Sequence, residues 1–509
     1  MKPGEVRILE EPTLQFGNGQ RLSDPRDGLS LFGPYDLGAA SQPKTLSYGV
    51  VSTPEGIRLL AEWLKILRGP ILNTVGPKEH RSIEEIDVLW PPFPGFEAAT
   101  GAVLPAEPVW VREIDRVKLD ESSRHPEPHL RAAGVVNAYM EALRAGTSRD
   151  EEIRVVFCVV PEFLWKRCRP ESVLARTEMV GAKVSKSAIQ DVMDGQGDFL
   201  APTMQREPFE FSVDFRRQLK AKAMELKVPI QILRESTLKI GESQFGERQL
   251  SPEADRAWNM AATAYYKAGG KPWKLATARP GVCYLGLAFK KAEQDGSNAC
   301  CAAQMFLDSG DGIVFMGENG PWYSRETREF HLNRTAAKNL LTGALQTYAT
   351  QHGEKLTEIF IHAASEVSAD EFTGYQEACP PGVKLVAVRI RHDRLGFRLF
   401  RTGTRPVLRG TFVKVSEKSG YLWTSGFKER IRTYDGMEVP VPMKIDVLHG
   451  EADVEGVAWD VLSLTKLNYN ACKLGDSLPV TVHFSDAVGE ILVNNPKTQT
   501  PRPNFKYYI

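Results

Sequence analysis

The grammar of the chain changes near residue 280, and that change constrains the fold more than any other feature. From residue 151, apolar strand-like runs alternate with helices. EEIRVVFCVVP reads as a buried strand, VDFRRQLKAKAMELK as an amphipathic helix and VPIQILRE as a second strand. DRAWNMAATAYYKAGG follows as a packed helix stopped by Gly269 and Gly270. Strands separated by helices predict a parallel sheet of Rossmann type. Beyond 280, GVCYLGLAF, NACCAAQMFLD and GIVFMGE follow one another closely, the last two joined by the turn SGDG. TAAKNLLTGALQTYATQHG then predicts a helix and EIFIHAA a strand, and a second helix-like segment leads to the strand KLVAVRIRH.

Three consecutive strands followed by helix, strand, helix and strand is the order expected of a ribonuclease-H-like fold. A hairpin over VLRGTFVKVSEKSGYLWTSG, a strand LPVTVHF, a short helix SDAVGEILV and an extended tail PRPNFKYYI complete the expectation. The fold class is α/β, a Rossmann-like module followed by a ribonuclease-H-like module. The expected division is 1–150 as an N-terminal region packing on the two modules, 151–278 as the first module and 279–509 as the second. The N-terminal region is rich in proline and glycine, with one good helix at TPEGIRLLAEWLKIL. Its last part mixes a polar linker, DESSRHPEPH, with the helix-like LRAAGVVNAYMEALRAG.

Lys plus Arg and Asp plus Glu both number 64, so net charge is silent about a nucleic-acid partner and only local clustering can speak. Seven cysteines are scattered without a C-x-x-C pair, several inside apolar runs, which predicts buried reduced thiols in the cytoplasm. MKPGEVRILEEP has no apolar signal core, and no run approaches the ~20 apolar residues of a membrane span. The expectation is a soluble cytoplasmic protein.

One constellation carries chemistry. On the helix around DFRRQLKAKAMELK, Phe215, Leu219, Ala223 and Leu226 share an apolar face, and Arg216 and Lys220 project side by side from a neighbouring one. Asp214 or Ser212 is placed to cap this helix, so both cations are expected in its first turns. Cations there are unfavourable unless an anion arrives, which suggests a phosphate site. Gln231, on the next strand, is placed to add an amide, and Lys267 a third charge beside the glycine pair. The plain alternative is a solvated basic helix face with Lys267 merely suiting a helix C-terminus. A second feature is the run VRIRHDRLGFRLFRTGTRPVLRG, with Arg389, Arg391, Arg394, Arg398, Arg401, Arg405 and Arg409 interleaved with Phe397 and Phe400. It suits a nucleic-acid backbone, or equally the exposed face of two strands. His125, His129 and His362 have no companions that complete a metal site, and no nucleophile–base pair stands out.

At these residues the chain resembles a short prokaryotic Argonaute, built of MID and PIWI modules. The matching segments are DPRDGLSLFGP, FRRQLKAKAMELKVPIQILRESTL, TAYYKAGGKPWKL, RPGVCYLGLAFKK, NACCAAQMFLDSGDG, EIFIHA, LTKLNYNAC and FKYYI, and they span nearly the whole length. They look closest to short Argonautes that work beside a separate APAZ-containing subunit with a TIR or sirtuin-like domain that degrades NAD. The resemblance makes 151–278 a MID domain and 279–509 a PIWI domain. It implies a guide RNA, complementary single-stranded DNA as target, and a heterodimer that assembles further when activated. Arg216, Lys220, Gln231 and Lys267 fall on the family's guide 5′-phosphate positions, Arg216 departing from the usual aromatic or histidine. The terminal carboxylate of Ile509 would help hold Mg²⁺ near that phosphate. Arg389, Arg391 and Arg394 would line the channel for the guide–target hybrid.

The resemblance also implies no slicing. Ala288 replaces the first-strand aspartate of cleaving relatives, Ala364 falls where another would sit, and Asp486 occupies the last metal position alone. The implied outcome is NAD loss in a cell invaded by plasmid or phage, executed by the partner. Three rivals stay open: a guided nuclease acting by itself, a partner carrying a DNA nuclease, and a Rossmann protein that binds a nucleotide or sugar phosphate.

Overall fold

The computed structural model describes residues 2–72, 91–148, 152–181, 206–241, 250–291, 299–306, 312–324, 326–351, 355–393, 396–429, 439–493 and 502–509, with a few further positions between them. The described residues form two large sheets and a small antiparallel one of Arg21–Leu22, Leu14–Gln15 and Lys274–Leu275. The smaller of the two large sheets is four-stranded and wholly parallel, in the order Trp110–Glu113, Tyr48–Ser52, Val155–Val160, Ile230–Arg234. Val155–Val160 is buried at every residue. A central parallel strand covered on both faces requires such an unbroken apolar run. Two of the strands come from the first 150 residues, so the proline-rich N-terminal region completes this sheet.

Three helices show how the sheet is covered. Pro54–Leu67 starts at Thr53, whose side chain accepts from Gly56 N, and turns Leu60, Trp63, Leu64 and Leu67 inward. Pro128–Thr147 buries Val135, Val136, Tyr139, Met140 and Leu143 in one cluster with Phe215, Leu219 and Ala223 of the helix Phe215–Ala223. The linker expected at DESSRHPEPH is largely absorbed into structure, since Arg116–Ser122 and Pro128–Thr147 are helical at its two ends.

The larger sheet has nine strands among the described residues. Their order is Val6–Ile8, Thr411–Ser416, Ser419–Leu422, Met443–His449, Lys384–His392, Glu358–Ala363, Val282–Lys291, Ala299–Phe306 and Gly312–Gly320. Glu358–Ala363 runs parallel to both of its neighbours, and the three strands from Val282 to Gly320 form an antiparallel meander. The helices Arg334–Gln351 and Ala369–Ala378 fall between strands as the sequence order requires. The turn SGDG lies for the most part outside the described residues.

One expectation fails. LPVTVHF is not a strand: Val480–Val493 is a single helix that also takes in SDAVGEILV. The local alternation at Val480, Thr481 and Val482 suggests a strand, yet Val480, Phe484, Val488, Ile491 and Leu492 are buried at helical spacing. Packing settles the competition. A Cβ added at Gly286 would lie 2.0 Å from the carbonyl oxygen of Thr481, so glycine there lets the helix rest directly on the sheet.

Candidate nucleic-acid interface

The helix carrying Arg216 and Lys220 is shorter than its periodicity suggests. It runs Phe215–Ala223 and tightens into a turn at Met224–Leu226. Asp214 caps it, accepting from Arg216 N at 3.0 Å. Lys220 therefore lies in the last turn, where the dipole favours a cation, and only Arg216 sits at the positive end.

Lys220 and Lys267 are brought together by the chain's last residues. Lys220 Nζ donates to the Tyr508 carbonyl oxygen at 2.9 Å. Lys267, 1% exposed, donates to the Ile230 carbonyl oxygen at 2.6 Å and to the Ile509 oxygen at 2.5 Å. Burial pushes the Lys220 ammonium down to about 7, the Arg216 charge lowering it further against the pull of Asp214. Burial and the neighbouring Lys220 hold Lys267 well below the usual lysine range. Among the described residues no Asp or Glu side chain pairs with either ammonium. Gln231 follows Ile230 directly, and its Oε1 is buried without a hydrogen-bond partner. Lys220 and Lys267 thus form a cradle of two desolvated ammonium groups around the last two residues.

Arg216 points elsewhere. Its guanidinium carbon lies 5.8 Å from the Trp165 ring centre, where Arg169 and Arg234 also converge at 4.8 and 4.7 Å. Arg169 pairs with Asp214 at 3.0 Å and Arg234 with Glu162 at 2.5 Å. Among the described residues the Arg216 guanidinium has no such carboxylate. Trp165 and Arg169 escaped sequence reasoning; the basic-aromatic run WKRCR was the available signal.

Hard oxygen donors suit Mg²⁺. The Ile509 oxygen, the hard donor expected for such an ion, accepts from Lys267. Among the described residues no three His, Cys, Asp or Glu side chains converge as a metal site.

On the large sheet, His362 pairs in register with Gly286 on the adjacent parallel strand. Ala364 and Ala288 each lie two residues beyond this pair, Ala364 past the end of its strand. Ala288 is 2% exposed and pairs with Ala302, whereas Ala364 is exposed just past its strand's end. Asp486 sits on the helix Val480–Val493, and its side chain lies outside the described residues.

The arginine run does not form one face. Arg389 is bound to Asp446 at 3.1 Å and Glu366 at 3.5 Å. Arg391 is exposed, and Arg394 lies outside the described residues. Arg409 is interior, held by Glu11 at 2.9 Å, which also pairs with Lys466 at 2.7 Å. Arg401 and Arg405 lie over Phe427 at 5.9 and 5.1 Å. Beside them are two cavities that share Lys428. One, of about 320 Å³, is lined by Thr424, Ser425, Lys428, Lys473 and Ser477 among others. The other, of about 350 Å³, is lined by Glu10, Glu11, Arg409 and Phe427 among others. Neither cavity is the lysine cradle. Sequence spacing could not reveal the second, because its walls come from both ends of the chain, Ile8 to Ser23 and Leu408 to Leu474.

A parallel four-stranded sheet, a nine-stranded mixed sheet and a C-terminal tail locked between them define an Argonaute-like mixed α/β fold of MID–PIWI architecture. No protein-family model matches the chain. The Argonaute of Aquifex aeolicus is 23% identical over 297 residues, covering 57% of this chain and 38% of that protein. The crystal structure of that Argonaute with externally bound siRNA aligns with a TM-score of 0.57 at 16% identity, covering 99% of this chain and 56% of that one. Clostridium butyricum Argonaute bound to a guide DNA and a 19-mer target DNA gives the same TM-score and identity, covering 97% and 53%. The chain thus spans about half the length of these solved relatives.

Proposed function

We propose that this chain is the guide-binding subunit of a short Argonaute, programmed by an RNA to recognise complementary single-stranded DNA. The meeting of Lys220 and Lys267 carries this reading: neither buried ammonium pairs with an acidic side chain among the described residues, and a phosphate would add charge-assisted hydrogen bonds to groups that now meet the oxygens of Ile230, Tyr508 and Ile509. In this proposal the anion is the guide's 5′ phosphate. Lys220 and Lys267 hold its oxygens, Gln231 adds its side-chain amide, and Arg216 supplies the outer charge. Mg²⁺ would join the phosphate to the Ile509 carboxylate. Base pairing reads the sequence while the protein grips backbone. The Lys428–Lys473 cavity and the exposed part of the arginine run, including Arg391, suit that backbone.

No strand cleavage by this chain is proposed. A two-metal centre needs several carboxylates or histidines, and Ala288 and Ala364 offer no ligating oxygen. Asp486 cannot assemble one alone. Target binding would instead activate an APAZ-containing partner whose TIR or sirtuin-like domain consumes NAD; this step rests on sequence resemblance alone.

The test compares 5′-phosphorylated with 5′-hydroxyl RNA of one sequence. The phosphate is expected to strengthen binding roughly tenfold or more, and Lys220→Ala with Lys267→Ala to abolish that increment. Equal affinities in the unaltered protein would refute the cradle. The effector arm is tested separately, by NAD consumption when guide and target DNA are added to the chain purified with its partner.

A further inference from the structure

The arginine run contains one side chain that the cradle and cavities leave unexplained. Phe400 is 73% exposed, high for a large aromatic ring on a soluble domain. Its segment is nonetheless anchored. Two residues to one side, Leu399 and Phe397 hold it down: Leu399 packs against Val407, Val413 and Trp423, and Phe397 stacks on Tyr421 with ring centres 5.0 Å apart. On the other side, Arg401 and Arg405 reach back over Phe427. Phe427 borders the second cavity, next to Lys428, which lines both. The ring is therefore held out from an anchored, arginine-rich loop, next to Arg401.

We infer that Phe400 is a stacking platform for an unpaired nucleobase of a single strand that passes over this arginine-rich loop. The inference rests on the nucleic-acid reading above and adds a residue and a mode of contact to it. An exposed ring flanked by arginines fits a base and its phosphates: every base offers a π-face, and the arginines supply the charge for the backbone. A protein partner docking on a bare phenylalanine would instead want apolar surroundings. Here the neighbours at the tip, Arg401, Thr402, Gly403 and Thr404, are polar or small and exposed.

The test uses the full chain, single-stranded DNA carrying 2-aminopurine, and a blunt duplex of the same sequence. Phe400→Ala is expected to weaken single-strand binding roughly 5- to 150-fold, to abolish quenching of 2-aminopurine at one position, and to leave duplex binding unchanged. The dependence on salt should keep its slope in Phe400→Ala and become shallower in Arg401→Ala, because only the arginine meets phosphate. Phe400→Trp should restore both affinity and quenching. The exposure of Phe400 makes unfolding of the variant an unlikely confounder, and equal melting temperatures check this. Unchanged affinity and quenching in Phe400→Ala would overturn the stacking role while leaving guided recognition intact. An equal loss for single strand and duplex would overturn it too. Failure of the unaltered protein to bind any of these nucleic acids would instead remove the function on which it rests.

Discussion

Raising the pH through neutrality should remove the proton that Lys220 needs to hold a phosphate. Burial places that ammonium at about 7. About a tenth of it is then charged at pH 8 and about a hundredth at pH 9. A phosphate that binds the charged form loses about 1.4 kcal/mol, or tenfold in affinity, for each pH unit above 7. The assay is the difference in affinity between 5′-phosphorylated and 5′-hydroxyl RNA from about pH 6.5 to 9 at fixed ionic strength. Subtraction removes the rest of the strand, and the phosphate's own second ionisation near pH 6 lies below the range. The increment should fall with a slope approaching one, and more steeply where Lys267 titrates with it. An increment that stays flat from about pH 7 to 9 would refute the claim that a desolvated Lys220 grips the phosphate. Stability of the free protein should move the other way. A lysine whose folded pKa lies below its unfolded value opposes folding when protonated. That penalty is complete below about 7 and relieved as pH rises toward the usual lysine range, so the melting temperature should climb across that window.

Other sites give independent checks. Asp214→Ala removes the cap of Phe215–Ala223 and leaves Arg169 without its carboxylate, so calorimetry should record a loss of about 3–5 kcal/mol. Gly286→Ala drives a methyl into the Thr481 carbonyl and should cost about 1–3 kcal/mol, while Ala303→Gly on the neighbouring strand should not displace the helix. Ala288→Asp with Ala364→Asp should create a Mn²⁺ site, seen as a melting temperature that rises with Mn²⁺ in the double variant only. Strands about 4.8 Å apart bring two carboxylates within reach of one ion where the register paired at His362 and Gly286 continues two residues further. No response to Mn²⁺ would show that the two alanines are not level.

Legibility followed locality. The buried run VVFCVV and the helix ending before Gly269 (φ +98°) could be read from composition and a single glycine, because each is decided within a few residues. The same holds for the meander after 280. The helix at Val480 was missed because its own residues vote for a strand, and the deciding contact is Gly286, about 200 residues away. The arginine run misled for a related reason. Spacing cannot tell that Arg389 meets Asp446 across a strand pair, or that Arg409 turns inward to Glu11 from the opposite end of the chain. In the cradle, residue types predicted a phosphate grip, but the orientation of Arg216 toward Trp165 depends on a helix too short for periodicity to measure.

The last residues join the cradle to the large sheet. Phe505 is 1% exposed and wedged edge-on among Phe306, Phe484 and Tyr266. Beside it, Val314 N donates to the Pro503 carbonyl oxygen and Asn504 bridges Ile313, so the tail lies along the edge strand Gly312–Gly320. Three and four residues beyond Phe505, the Tyr508 and Ile509 oxygens meet Lys220 and Lys267. A segment this short, pinned at both ends, cannot shift at the lysines without moving the aromatic wedge. Phe484 belongs to the helix that lies on Gly286, two residues before Ala288 on the same strand. Lys220 and Lys267 are thus tied, through the tail and the Phe505 wedge, to the packing of the helix that rests on the large sheet.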